Sequence, residues 1–115
     1  MSLVSKQHHK GHYTWGDGCD GWILVDTTEL SVKQERMPAF TAETLHYHQH
    51  AQQFFFILKG TAVFEVEGMV YTVATGQGFH IAAGKKHRIV NKSGEDLEFM
   101  LSSQPATSAD RINCI

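Results

Sequence analysis

His46-Tyr47-His48-Gln49-His50-Ala51-Gln52-Gln53-Phe54-Phe55-Phe56-Ile57-Leu58-Lys59-Gly60 decides how the rest of the chain is read. The apolar run from Phe54 to Leu58 is too short for a helix, and it is aromatic enough for a buried strand that Gly60 stops. Side chains two apart on a strand face the same way, so His46 and His48 project together while Leu45, Tyr47 and Gln49 point to the other side. Two imidazoles roughly 6.5–7 Å apart along a strand can converge on one ion. Taken alone, a His-x-His pair fits two solvated surface histidines better than a metal site. Further ligands would have to come from neighbouring strands, which lie only about 4.8 Å away. Gln53 opens the next strand and His87 a later one, each directly after a turn-like stretch.

Outward from that stretch, the same short rhythm continues. Trp22–Asp26, Leu30–Met37, Thr44–His48, Gln53–Lys59, Thr61–Glu67, Met69–Ala74, Phe79–Ala82, His87–Asn91 and Leu97–Ser102 read as strands, with turn signals between them. Glu67-Gly68 reads as a hairpin turn. No segment carries a 3.6-residue apolar period over ten or more residues. About nine short strands with no helix predict an all-β sandwich or barrel. The polar stretch 1–21 reads as an arm and turn region, 22–103 as the barrel, and 104–115 as a tail that wraps the surface or frays. In Trp15-Gly16-Asp17-Gly18-Cys19-Asp20-Gly21-Trp22 the alternating acids and closing Glu of a calcium loop are missing, so the stretch reads as a turn.

The chain has 115 residues, 42% hydrophobic and 19% charged, which predicts one folded domain. A net charge of −2 and a longest basic stretch of only Lys85-Lys86-His87-Arg88 argue against nucleic acid or an anionic membrane as partner. No apolar run is long enough for a membrane helix, and the first twenty residues hold nothing like a signal peptide, so the expected setting is cytoplasmic. Cys19 and Cys114 are expected to remain thiols there.

Two spacings carry a family resemblance. His46-Tyr47-His48 is followed by four residues, Gln53, six residues and Gly60. Gly76 is followed by five residues, Ala82-Ala83-Gly84, two residues, His87, three residues and Asn91. This resembles the paired motifs of the cupin superfamily, and the resemblance implies a single jelly-roll (double-stranded β-helix) cupin barrel. In cupins the two His and the Glu of the first motif, with the His of the second, typically hold a divalent metal. The implied metal site here is therefore His46, His48, Gln53 and His87. Three positions depart from the pattern: Phe40 stands for the first glycine, Ala82 for the proline and Gln53 for the glutamate. An amide ligates through its carbonyl oxygen but brings no charge, which leaves a stronger Lewis acid with a pull on anions. Alternatively, Gln53 leaves three His and open positions. Imidazole-rich ligation suits Fe, Mn, Ni, Cu, Co or Zn without choosing among them.

Candidate substrate-binding residues are Arg36, Gln34, His50, Tyr47 and His80. Gln34 and Arg36 share a strand face; if it is inward, Arg36 binds a carboxylate or phosphate, and if outward it is a surface charge. His50 has the parity of His48 and either lines the mouth of the site or is solvated. His80 is a packed or a catalytic histidine, and Tyr47 a proton donor or a hydrogen-bonded core phenol. With Gln53, Phe55 and Ile57 inward, Phe54, Phe56 and Leu58 face outward and need a cover, which predicts a homodimer, as the resemblance also does. The expected function is a metal-dependent small cupin binding a small, anionic molecule, as a dioxygenase-type oxidoreductase. The alternatives are a non-enzymatic ligand-binding or sensor protein, or a cupin isomerase or lyase.

Overall fold

The computed structural model describes residues 1–114, and no helix occurs among them. Twelve strands follow in order: β1 (Gly11–Trp15), β2 (Cys19–Asp26), β3 (Ser31–Met37), β4 (Thr41–Ala42), β5 (His46–His48), β6 (Gln52–Lys59), β7 (Thr61–Val66), β8 (Met69–Ala74), β9 (Gly78–Ile81), β10 (His87–Asn91), β11 (Leu97–Gln104) and β12 (Arg111–Asn113). They build two antiparallel sheets. One runs β1-β2-β3-β11-β6-β9, the other β12-β5-β10-β7-β8, with β4 added to β10. This is the all-β jelly roll expected from the sequence. Two strands were not foreseen as such: β4 is two residues long, and β12 brings the supposed tail back to pair Arg111 with His48. β1 is the edge strand that was one of the two readings of residues 1–14, the other being a mobile arm.

The core follows from strand alternation. On β6, Gln53, Phe55 and Ile57 are buried, so one inward face runs from a polar end into the apolar interior. Phe55 meets Phe64 edge-on at 5.0 Å and Phe99 at 5.6 Å between ring centroids. Met37, Ile89 and Leu97 complete a core that fills the barrel below Phe55. On β3 the buried residues are Ser31, Glu35 and Met37. The face carrying Gln34 and Arg36 is therefore the outward one, and Arg36 is a surface charge: it bonds Asp20 (2.6 and 2.9 Å) and Asp96 (3.3 Å).

Two turns show how the sequence makes its corners. Glu67 and Gly68 have φ of +49° and +79°, the paired left-handed geometry of a tight two-residue hairpin between β7 and β8. Phe40, standing for the motif glycine, has φ +59° and is 75% exposed. The backbone there keeps the conformation a glycine would favour, with a side chain that gains little burial. Asn91 ties the corner down: its amide donates to Met37 O, Pro38 O and Glu95 O. No helix of the structure is long and apolar enough to cross a membrane.

Candidate metal centre

β5, β6 and β10 meet at the polar end of the barrel. His46 and His48 alternate inward from the three-residue β5, and His87 pairs directly with His46 across to β10. All three imidazoles are buried, and one ring nitrogen from each lies within 4.8 Å of the others. Ring centroids are 4.4 Å apart for His46 and His87, and 5.0 Å for His46 and His48. Gln53, at the buried polar end of β6, puts Oε1 3.1 Å from His87 Nε2.

Hydrogen bonds fix which nitrogen two of the rings present. A carbonyl can only accept, so His46 Nδ1–H donates to Thr44 O and His87 Nδ1–H to Lys85 O, each at 2.8 Å. Burial drives the His46 pKa down to about 3 and that of His48, with His87 adding to the effect, down to about 4. Burial lowers His87 as well. Neutral rings with Nδ1 protonated leave Nε2 with a lone pair, the form in which imidazole ligates a metal. At His87 that lone pair faces the carbonyl oxygen of Gln53, whose amide nitrogen is turned to Ser103 Oγ at 3.1 Å. Two acceptors in contact repel. A cation shared by both lone pairs relieves the conflict; without one, turning the amide over does so. Two donors each about 2.1 Å from a shared ion and at a right angle lie about 3 Å apart, so the spacing fits the first solution. His48 Nδ1 is completely buried with no hydrogen-bond partner among the described residues, and Asp110 Oδ2 lies 3.9 Å from it. The residues present thus fit a divalent ion: four neutral donors, three with a hydrogen-bonded outer partner and His48 with Asp110 nearby.

A cavity of about 200 Å³ opens beside the imidazoles, lined among others by Tyr13, Lys33, Glu35, Glu43, Gln53 and Arg111. Burial pushes the Glu43 carboxyl up to about 7 despite Arg111, whose Nη1 donates to it at 3.3 Å. Burial raises Glu35 too, against a hydrogen bond from Tyr13. This wall holds ionisable groups of both signs, and none was singled out from the sequence. Lys33 and Glu35 sit on the strand face opposite to Gln34 and Arg36, and Arg111 lies in the tail.

The remaining candidates stand elsewhere. Gln34 and Arg36 point away from the cavity, as above. His50 is exposed beyond the end of β5; its backbone N–H, not its ring, is held by Asp110. Tyr47 has the opposite parity on β5 and does not line the cavity. His80 is exposed and pairs its Nε2 with Gln52 Oε1 at 2.9 Å, on the outer side of β6. Cys19 and Cys114 are both unpaired.

The family described as cupin domain matches residues 33–103. No curated protein sequence matches the chain. Among solved structures it is similar to KdgF from Halomonas sp., with 18% identity, TM-score 0.83, and 94% of this chain and 98% of that one covered. It is also similar to the polyketide cyclase RemF from Streptomyces resistomycificus (16% identity, TM-score 0.83, 100% and 86% covered). A predicted oxalate decarboxylase from Thermotoga maritima is a third likeness (20% identity, TM-score 0.73, 85% and 87% covered). At these identities the likeness is one of fold.

Proposed function

Because this chain belongs to the cupin-domain family, we propose that it is a metal-dependent small cupin in which His46, His48, His87 and Gln53 hold one divalent transition ion beside a bound small anion. The reading rests above all on the contact between His87 Nε2 and Gln53 Oε1, two acceptors that a shared cation would reconcile. When bound, such an ion acts as a Lewis acid on a ligand oxygen. The chain's own residues shape what can bind. Phe55 closes the floor, Lys33 and Arg111 bring positive charge to the wall, and four neutral donors leave the ion's charge undiminished. A cavity near 200 Å³ is smaller than the roughly 300–1,000 Å³ of sites for drug-sized ligands, which favours a metabolite of few atoms.

A wall carrying carboxyl groups with raised pKa values suits proton transfer, so an isomerase- or lyase-type enzyme is the reading favoured here over a sensor with a dry apolar pocket. A dioxygenase-type oxidoreductase is the second reading. Imidazole-rich ligation suits Fe(II), and substrate-dependent O₂ uptake by iron-loaded protein tests it. Elemental analysis of untagged protein incubated with Fe, Mn, Ni and Zn salts tests the ion itself: stoichiometric metal is expected. None in the wild type, or metal that survives His48→Ala, would overturn the ligand set.

We also propose a cytoplasmic homodimer. Two unpaired thiols suit a reducing compartment. Phe54 and Leu58, each 42% exposed on the outer face of β6, need a cover. A monomer mass in solution at micromolar concentration would count against the dimer.

A further inference from the structure

β1, β2 and β3 carry a row of three residues that metal binding does not use. Tyr13 pairs with Gly21 and Gly21 with Glu35, so they lie side by side across three strands. A Cβ built on Gly21 would sit 2.0 Å from Tyr13 Cζ. The phenol ring therefore occupies the space that any other residue's side chain would fill. Lying across the glycine, Tyr13 reaches Glu35 and donates its hydroxyl hydrogen to Oε2. Glu35 is 8% exposed, and its Oε1 takes no protein hydrogen bond among the described residues. Both side chains line the cavity that His46, His48 and Gln53 also line. The charged groups around them are Lys33, whose Nζ stands 5.3 Å from the centre of the Tyr13 ring, with Glu43 and Arg111 on the same wall. A buried carboxyl held at one oxygen, open at the other and facing a candidate metal site has the form of an acid–base group.

We propose that Glu35, oriented by Tyr13 across Gly21, is the proton-transfer group of this site, and that its substrate is a small oxo acid with a hydrogen on the carbon beside the carbonyl. This rests on the metal reading above, and it adds the substrate class and the base. The C–H bond breaks and its proton goes to Glu35 Oε1. The C–H electron pair becomes the C=C bond of an enolate as the carbonyl π pair moves onto oxygen. Return of the proton to carbon or oxygen completes a tautomerisation that consumes no oxidant or reductant. Lys33 and Arg111 supply the charge that a carboxylate needs, and the cavity's size limits the acid to a few carbons.

Pyruvate is the probe, with loss of its methyl proton signal in D₂O followed by NMR. Metal-loaded wild type should exchange those hydrogens faster than the same concentration of free ion. Glu35→Gln with the same metal content should be at least about 100-fold slower, the usual contribution of a positioned base. Tyr13→Phe and Gly21→Ala should each be about 10-fold slower, as for loss of an orienting partner. Combined, they should be no slower than either alone, because both remove one bond. A readout without metal or substrate accompanies this. In protein carrying ¹³C-labelled Glu, the δ-carbon signal that disappears in Glu35→Gln should titrate at higher pH in Tyr13→Phe, since the phenol favours the charged carboxylate. Undiminished exchange by metal-loaded Glu35→Gln overturns the proposal and leaves the metal reading standing. Loaded wild type no faster than free ion also overturns it. Wild type that takes up no metal overturns the metal reading, and this proposal with it.

Discussion

Replacing Asp110 by Asn tests whether the C-terminal strand supports the site. The carboxylate accepts from the His50 N–H at 3.1 Å (Oδ1) and 3.3 Å (Oδ2), and from the Ala51 N–H at 3.0 Å (Oδ2). It clamps the turn between β5 and β6, and its Oδ2 is 3.9 Å from the unpartnered His48 Nδ1. Burial works against its charge, but the two amide donors outweigh that and hold its pKa below the usual range. An asparagine of the same shape offers one acceptor oxygen and turns an NH₂ toward the second donor. Hydrogen bonds to a charged group contribute about 1.5–3 kcal/mol against about 0.5–1.5 for neutral ones, and a buried orphaned donor costs about 1–3. The expected loss is therefore about 2–3 kcal/mol in urea unfolding of the metal-free protein. Metal affinity, measured by competition with a chelator, should fall by about 10–100-fold, as for loss of an outer partner of a ligating histidine. A stability loss with unchanged affinity would refute the link to His48. A loss within about 0.5 kcal/mol, the range of an ordinary surface substitution, would refute the clamp.

Other expectations follow from single features. Phe40→Gly should stabilise the protein by about 0.5–1 kcal/mol, because relief of a left-handed φ is worth about 1–2 kcal/mol and the added chain entropy costs about 0.5–1; a lower urea midpoint would show that the exposed ring contributes more than its burial indicates. For pH, His46 and His48 titrate below their unfolded value, so the stability they hold above about pH 6.5 is lost as pH falls toward 3–4. Glu43 has the opposite sign: its pKa is raised, so its contribution is complete below about pH 4.5 and is lost as pH rises through 7. Between pH 6.5 and 4.5 the metal-free Glu43→Gln variant should therefore lose stability more steeply than wild type, by about 1.4 kcal/mol per pH unit; parallel curves would place Glu43 in solvent. Gln53→Glu adds a negative charge beside the proposed ion and should tighten metal binding in chelator competition; weaker binding would show that residue 53 does not reach the ion.

What the sequence revealed of this site was set by strand parity. His46 and His48 could be placed on one face because a strand has a period of two, and Gln53 fixed the phase of β6 because an apolar run follows it. β3 had the same period but no phase. Leu30 and Val32 argue for one face and Met37 for the other, and both faces carry charge. Pairing with β2 and β11 decided it, and turned Glu35 inward in place of Arg36. The contributions of Asp110 and Arg111 were invisible for a different reason. β12 is three residues long and has no pattern of its own; it exists because its backbone completes the edge of β5, over sixty residues earlier in the chain. Tyr13 was hidden by a contact that needs an absence, the missing side chain of Gly21.

The same contrast bears on chemistry. The barrel, its imidazoles and its amide come from the stretch that resembles other cupins, and they are all neutral. The ionisable groups that face them come from β1, β3 and β12, outside the two motifs, and from Glu43, between Phe40 and His46 of the first. Neutral donors leave an ion with its whole charge, so the balance falls to the ligand and to the wall. The wall supplies carboxyls whose pKa values burial raises and two cations, which together favour an anion able to give up a proton. Selection among substrates would then act on Tyr13, Lys33, Glu35 and Arg111, while the motif residues keep only the task of holding the ion.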